Sequence, residues 1–297
     1  MNVPDHPEEP LDAWLERTTE PGMDIPSRDS GRVRQARTRT ALNPSGLEGF
    51  DWVLNPYHGC AHQCAYCYAP SVLGVDRDRW GSCVEVRQNI PAILGRELRR
   101  KDRGVVGISS VTDPYQPAER RYQLTRYCLE RLLRHDWPVC ILTKSDLVVR
   151  DMDLLEGLSD VEVGFTITSL DEHQRRLFEP GAPSVARRLA AMRLMADAGI
   201  PTYAFIGPIY PTSTINELRE LVRKVHDAGT RYVLVDRLNL KRGVWLSLLR
   251  ALGPDPTLLS VARQRLFLEE ARDVFYPRAF RAVEEEARSL GLPVSRA

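Results

Sequence analysis

From Phe50 onward the chain alternates between two hydrophobic periods. Short apolar, β-branched runs predict strands at Asp51–Leu54, Val105–Ser110, Val139–Thr143, Val161–Ile167, Thr202–Ile206 and Tyr232–Val235. Between them, apolar residues at helical spacing predict helices over Ala118–Arg134, Leu147–Leu158, Ser184–Ala198 and Ile215–Ala228; Leu189, Met192, Met195 and Ala196 are one such stripe. Gly199 and Gly229 stand where two of these helices must stop, and Pro201 follows closely. Strand, helix, strand, repeated, gives βαβ units and a parallel sheet. Right-handed crossovers wind such a sheet into a barrel or an open doubly wound sheet. From about Trp245 the pattern is helical, over Leu258–Tyr276 and Pro277–Leu290. Residues 1–48 show no sustained period. They hold several prolines and the arginines Arg28, Arg32, Arg34, Arg37 and Arg39, and predict an irregular arm with one short helix around Leu11–Arg17. That arm is either a solvated tail or a contact to an anionic substrate. The division expected is an arm over 1–48, an α/β domain over 49–240 and a helical extension over 241–297.

Composition narrows the class. The 297 residues are 43% hydrophobic and 27% charged, ordinary values for a chain that buries a full core. A formal charge of +1 argues against a bulk basic nucleic-acid binder and leaves room for a local basic groove. No apolar run approaches the roughly 20 residues that span a bilayer. The acidic, proline-rich start MNVPDHPEEPLDAW lacks the features of a secretory signal. A cytoplasmic location with no membrane partner is expected, and in that reducing compartment the six cysteines read as ligands or buried thiols.

Three of them cluster. In NPYHGCAHQCAYCYAP, Asn55 to Pro70, Cys60, Cys64 and Cys67 form C-x3-C-x2-C on a loop just after the first strand. Thiolates this close repel one another unless a metal centre or a functional thiol chemistry gathers them. Iron–sulfur clusters and zinc both prefer such soft ligands. Structural zinc usually takes four protein ligands, often as two separated pairs, and here no second pair exists: Cys83, Cys128 and Cys140 are isolated. The competing reading is a zinc knuckle completed by His58 or His62, and so a non-catalytic binding module. A cubane on three cysteines instead leaves one iron without a protein ligand.

With the aromatic Tyr68 beside the last cysteine, this motif resembles the radical S-adenosylmethionine (SAM) superfamily. The segments NPYHGCAHQCAYCYA, TDPYQPAE, LTKSDLVVRD, TITSLDE and EPGAPS, in that order from about Gly49 to Asn216, resemble its spore photoproduct lyase-like branch, often labelled DNA repair photolyase-like. The resemblance implies an α/β fold, a partial (β/α)6 TIM-type barrel of the radical SAM kind, with its site at the C-terminal ends of the strands. It implies a [4Fe–4S] cluster on Cys60, Cys64 and Cys67, with SAM on the open iron. One electron, from a donor such as flavodoxin or ferredoxin, would cleave SAM to methionine and a 5′-deoxyadenosyl radical that abstracts a substrate hydrogen. It places Tyr66 and Tyr68 near the adenine or over the cluster, and Lys144 at the carboxylate of SAM. Thr166 and Thr168 would offer hydroxyls to SAM from one face of their strand. Ser110 and Asp113 end the VVGISSVTD strand beside the cofactor, Asp113 either bonding a ribose hydroxyl or capping the next helix. Glu119, Arg176, Glu179 and Arg187 also match the branch, as ion pairs or as catalytic groups.

The sequence also departs from the branch. Spore photoproduct lyases carry a hydrogen-donating cysteine at the strand end where this chain has Ser110, Val111 and Thr112. The loop GPIYPTSTINE keeps only Pro208, Pro211 and Asn216 of the branch's usual run, and nothing after Asp236 matches. The substrate is therefore left open. A nucleic acid or nucleoside-like substrate ranks ahead of a small metabolite remodelled in a biosynthetic reaction.

Overall fold

The computed structural model describes residues 32–297; the helix expected around Leu11–Arg17 lies outside them. In chain order the strands are β1 (Arg32–Ala36), β2 (Leu42–Pro44), β3 (Trp52–Leu54), β4 (Tyr57–His58), β5 (Cys83–Arg87), β6 (Val106–Ile108), β7 (Val139–Thr143), β8 (Val161–Thr166), β9 (Thr202–Ile209), β10 (Val233–Arg237) and β11 (Val294–Arg296). One sheet has the order β11-β10-β9-β8-β7-β6-β3-β2. Within it β3 and β6 to β10 run parallel, as six βα units of a partial barrel require. The remaining strands form a small sheet, β1-β5-β4.

Helices Leu124–His135, Val185–Asp197 and Ile215–Asp227 cover the parallel sheet with the stripes the periodicity predicts. Leu129, Leu132, Met192, Met195, Leu218, Leu221, Val222 and Val225 are all fully buried. Each such side chain stabilises the fold by about 1.5–3 kcal/mol relative to exposure. Aromatic rings cross the sheet over glycines: a Cβ on Gly164 would lie 2.1 Å from the Tyr203 ring, and Tyr203 reaches on to Cys140, hydroxyl to sulfur 3.5 Å. Strand alternation then puts Thr166, Thr168 and Lys144 on this same face, nearer the C-terminal ends.

Several expectations are corrected. Residues 32–48 are not irregular, because β1 pairs with β5 and β2 with β3. Ala41 and Leu42 are 1% exposed, and the Glu97 carboxylate accepts both of their N–H groups. The C-terminal extension is not wholly helical: β11 returns to pair with β10. Pro277 does not end a helix. The chain breaks at extended Leu268, and Glu269–Ser289 runs through the proline, anchored on both sides by buried Phe275, Tyr276, Ala279 and Val283. The helix predicted over Ala118–Arg134 breaks at Gln123, whose φ is 50°. There the buried Glu119 carboxylate accepts from the N–H groups of Thr125 and Arg126 and so starts a second helix. The stretch Leu147–Leu158 holds a 3-10 turn, Asp146–Asp151, and one helical turn, Met152–Leu155. The sequence pattern gave no sign of β5 or of helices Ala69–Leu73, Ile90–Glu97 and Glu172–Phe178.

Two contacts join the segment after β10 to the segment after the cysteine loop. The Arg242 carbonyl, just past β10, accepts from the Ser71 hydroxyl at 2.9 Å, and Arg250 pairs with Asp78.

Candidate functional site

The cysteine loop is held from both sides. Gly59 sits at φ 91°, where a Cβ would lie 2.6 Å from the Cys83 carbonyl oxygen, so only glycine fits. Its carbonyl accepts from Thr112 Oγ1 at 2.7 Å and Gln116 Nε2 at 3.0 Å, while Gln116 Oε1 accepts from the Ala61 N–H at 2.9 Å. From the other side the Ala65 N–H donates to the Phe178 carbonyl at 2.8 Å, and the Gly181 N–H to the His62 carbonyl at 3.1 Å. The segments TDPYQPAE and EPGAPS are thus the two braces of the loop. Arg77 adds a third by donating to the Cys67 carbonyl at 2.8 Å.

Cys60 is buried, and Cys64 and Cys67 are partly buried. Burial pushes all three thiols up; Asp113 and Cys67 add to this at Cys60, which rises to about 12. At Cys64 the Lys144 ammonium opposes the rise, followed by Glu179, which adds to it. The loop therefore keeps neutral thiols until a cationic centre draws their protons off. Among the described residues no three His, Cys, Asp or Glu side chains converge as a single metal ion would need. Three soft thiols on one loop fit a multinuclear cluster, in which each sulfur takes its own iron. Cys60 packs with Ala69 and Trp80, and Cys67, Leu73, Val75 and Val111 close this apolar shell. The Trp80 indole N–H is buried without an acceptor at bonding geometry; it approaches the Cys67 sulfur and helps lower that thiol against the effect of burial.

Beside the loop lies a buried polar network centred on Glu179. Its Oε1 accepts from the Tyr66 hydroxyl and from Thr168 Oγ1 at 3.4 Å. Its Oε2 lies 2.5 Å from Arg188 Nη2, an ion pair more than an aligned hydrogen bond, since that oxygen has no bond of good geometry. Both residues are 0% exposed. Arg188 also donates to the Thr166 carbonyl at 3.0 Å and the Pro183 carbonyl at 3.1 Å. The Thr168 and Tyr210 hydroxyls are hydrogen-bonded to each other at 2.7 Å, and the Tyr210 ring stacks on Phe178. Burial pushes the Glu179 carboxyl up, but Arg188 and Lys144 outweigh it and hold the group below the usual range.

Lys144 stands just past β7, its ammonium 5.7 Å from the Tyr66 ring centroid. Burial favours its neutral form, while Cys64 once ionised, Glu179 and Asp113 push its pKa above the ordinary value. Among the described residues no carboxylate lies within 4.0 Å of that ammonium. A half-buried cation without a direct counter-ion is open to an anionic ligand.

The fold thus gathers Cys60, Cys64, Cys67, Tyr66, Lys144 and Thr168, while Thr166 contributes its carbonyl. Tyr68 is 44% exposed and donates to the Ser110 carbonyl, which ties the loop to the end of β6. The Ser110 hydroxyl accepts from Asn55 Nδ2 at 3.4 Å. Of the two roles expected for Asp113, the capping one is visible, since its carboxylate bonds the backbone that follows it. Oδ1 accepts from Thr143 Oγ1 at 2.7 Å and the Tyr115 N–H at 2.9 Å, and Oδ2 from the Lys144 N–H at 2.8 Å. His62 Nδ1 lies 3.4 Å from Oδ2 without completing a hydrogen bond. Asp113 thus ties the end of β6 to β7, with three of its acceptor positions used within the protein. Glu119 is structural, bonded to Tyr57 and Arg150, and Arg187 pairs with Asp146. Arg176 is exposed. Sequence reasoning missed Gln116, Trp80, Arg188 and Tyr210. Only Gln116, inside a motif already singled out, carried a signal.

The sequence profile described as the Radical SAM superfamily matches residues 54–225. The uncharacterized protein MJ0683 of Methanocaldococcus jannaschii is 38% identical over 180 residues, 60% of this chain and 68% of that protein. The uncharacterized protein Rv2578c of Mycobacterium tuberculosis is 32% identical over 233 residues, 73% of this chain and 68% of that one. Among solved structures, a spore photoproduct lyase mutant superposes with a TM-score of 0.68 at 17% identity, covering 100% of this chain and 88% of that one. Spore photoproduct lyase complexed with dinucleoside spore photoproduct superposes at 0.64 and 18% identity, covering 89% and 82%. At such identities the superpositions show the fold.

Proposed function

The chain belongs to the radical SAM superfamily, and from that premise we propose that Cys60, Cys64 and Cys67 ligate three irons of its [4Fe–4S] cluster and that the enzyme abstracts hydrogen from a nucleic-acid or nucleoside-like substrate. Radical SAM enzymes use the cluster and SAM as cofactors and take an electron from a donor. When bound, the cluster would supply the electron that cleaves SAM to methionine and a 5′-deoxyadenosyl radical. The chain's own residues bind, orient and exclude water. Trp80, Ala69 and Leu73 keep solvent from the cysteine sulfurs. The Lys144 ammonium takes the SAM carboxylate. Thr166, Thr168 and Tyr66 line the cofactor's flank, with Glu179 and Arg188 fixing their positions. Tyr68 and Ser110 close the space between the loop and β6.

The observation that carries this reading is the half-buried Lys144 ammonium beside Cys64 with no direct counter-ion. The nucleic-acid substrate is supported by the lyase likeness, whose relative is seen with a dinucleoside. A soluble flavodoxin or ferredoxin in the cytoplasm is the electron donor the reading takes; among the described residues no helix is long and apolar enough to cross a membrane. Anaerobic reconstitution tests the whole. About four irons and four sulfides per chain are expected, with 5′-deoxyadenosine formed under reductant and stimulated by an oligonucleotide. Stoichiometric zinc without iron would overturn it in favour of a zinc-stabilised binding module. Iron with stimulation only by small metabolites would favour a biosynthetic enzyme.

A further inference from the structure

A cleft of about 500 Å³ opens between the ends of β10 and β11 and the helix Glu269–Ser289, outside the residues matched by the superfamily profile. Arg237 ends β10 and Arg296 ends β11, and the two strands are parallel neighbours. The cleft therefore opens at the C-terminal ends of the strands, the side on which Lys144 follows β7. The chain leaving Arg237 reaches Arg242, whose carbonyl is bonded to Ser71 in the helix just after Cys67. Cleft and cysteine loop are thus joined by one short segment.

Four arginines line the cleft, Arg237, Arg272, Arg281 and Arg296, against two acids, Asp273 and Glu284. The acids are engaged: Glu284 pairs with Arg296 at 2.8 Å and Asp273 with Arg272 at 3.0 Å. Among the described residues no carboxylate lies within 4.0 Å of the guanidinium of Arg237 or Arg281, and both residues are exposed. Tyr276, only 5% exposed, and half-buried Phe280 line the same cleft. The Arg296 guanidinium lies 4.6 Å from the Phe280 centroid, and the Tyr276 hydroxyl is buried with no hydrogen-bond partner at bonding geometry. Two unpaired planar forks suit phosphate oxygens. The exposed Arg296 guanidinium, laid over Phe280, leaves a flat face beside them on which a base can stack. An acidic peptide would use the arginines and leave that flat face idle.

We propose that this cleft binds the sugar–phosphate backbone of a single-stranded nucleic acid, with Arg237 and Arg281 each taking a phosphate while the reacting nucleotide enters the barrel. This rests on the nucleic-acid reading above and deepens it: the substrate is a strand longer than the nucleotide that reacts.

The test uses the reconstituted holoenzyme and a labelled single-stranded DNA of about 12 nucleotides, within the usual reach of such sites. Anisotropy titrations at several salt concentrations compare wild type, Arg237→Ser, Arg281→Ser, the double variant and Arg278→Ser, which lies on the same helix outside the cleft. Thermal melts establish that each variant is folded. Each cleft arginine should account for about a tenfold loss in affinity. The double variant should flatten the slope of log affinity against log salt by about 1.4, at roughly 0.7 per phosphate contact on a single strand. Arg278→Ser should bind as wild type does. Wild-type binding with no loss in the double variant overturns the cleft and leaves the nucleic-acid reading standing. No wild-type binding to DNA or RNA overturns both. Polyglutamate or a mononucleotide competing as well as the strand overturns the assignment to a strand backbone.

Discussion

Gly181 packs so closely against Ala61 that a Cβ on it would stand 2.2 Å from the Ala61 carbonyl oxygen. The contact lies between the first and second cysteines, where the EPGAPS turn meets the loop. Gly181→Ala must push the loop outward while leaving the sheet and its helices alone. The variant should keep its far-ultraviolet circular dichroism and lose most of its iron after anaerobic reconstitution. Full iron content would show that the loop yields without losing its ligand geometry.

Lys144→Ala should leave the cluster intact and weaken SAM binding. A charge-assisted hydrogen bond of about 1.5–3 kcal/mol corresponds to a loss of roughly 10- to 150-fold. Equilibrium binding of SAM to the reconstituted variant reads this directly, and unchanged affinity would remove Lys144 from the cofactor.

The sequence showed the parallel strands and the cysteine loop because both rest on local pattern. The strands carry continuous apolar runs, and the cysteines sit within eight residues of one another. What it hid depends on contacts distant in sequence. Glu179 meets Arg188 nearby, but its other partner Tyr66 is 113 residues away, and Gln116 reaches Ala61 across 55. Asp113 was left between ribose ligand and cap because position shows where a carboxylate is and not which groups its oxygens meet. β11 was missed because a three-residue strand at a chain end has no period of its own. Pro277 misled because buried side chains on both sides of it outweigh one lost hydrogen bond.

Glu179→Gln should destabilise the fold markedly. It leaves Arg188 buried without a counter-charge, a loss of about 3–5 kcal/mol and on the order of 10 °C in melting temperature for a domain of this size. The pH dependence has a definite sign. The folded carboxyl is held below the ordinary glutamate value of 4.5, so its stabilisation is complete above that value and fades as pH falls through the lower folded one. The gap between wild type and Glu179→Gln, measured by denaturant melts, should be full near neutrality and shrink on acidification below about pH 4.5.

Trp80→Phe keeps an aromatic ring in the shell and removes the buried indole N–H near Cys67. A donor at a cluster thiolate favours the reduced, more negative state. The variant should bind a full complement of iron, with its midpoint potential lowered by up to about 59 mV, a tenfold change in a one-electron equilibrium. An unshifted potential by spectroelectrochemistry would mean that Trp80 only excludes water.

The enzyme should not convert spore photoproduct to thymines, although it shares the lyase fold. After the dimer is split, a product radical must recover a hydrogen atom from a positioned donor. Sulfur–hydrogen bonds give one readily, and hydroxyl bonds are much stronger. At the end of β6, where the lyases keep a cysteine, this chain has Ser110, Val111 and Thr112, and Thr112 already donates to the Gly59 carbonyl. The cysteines outside the cluster do not supply the gap. Cys83 starts β5, in the smaller sheet, and Cys128 is buried in the helix Leu124–His135. Cys140 is on the right sheet but four residues before Lys144, and its sulfur is 3.5 Å from the Tyr203 hydroxyl. At about 3.3 Å per strand residue that places it roughly 13 Å below the mouth, where a misplacement of about 1 Å already costs a hundredfold. SAM cleavage under reductant should therefore proceed without clean repair of a spore photoproduct dinucleotide. Chromatography of the products, run anaerobically, decides it: repeated turnovers to thymidylyl-thymidine would mean that a donor other than these cysteines reaches the site.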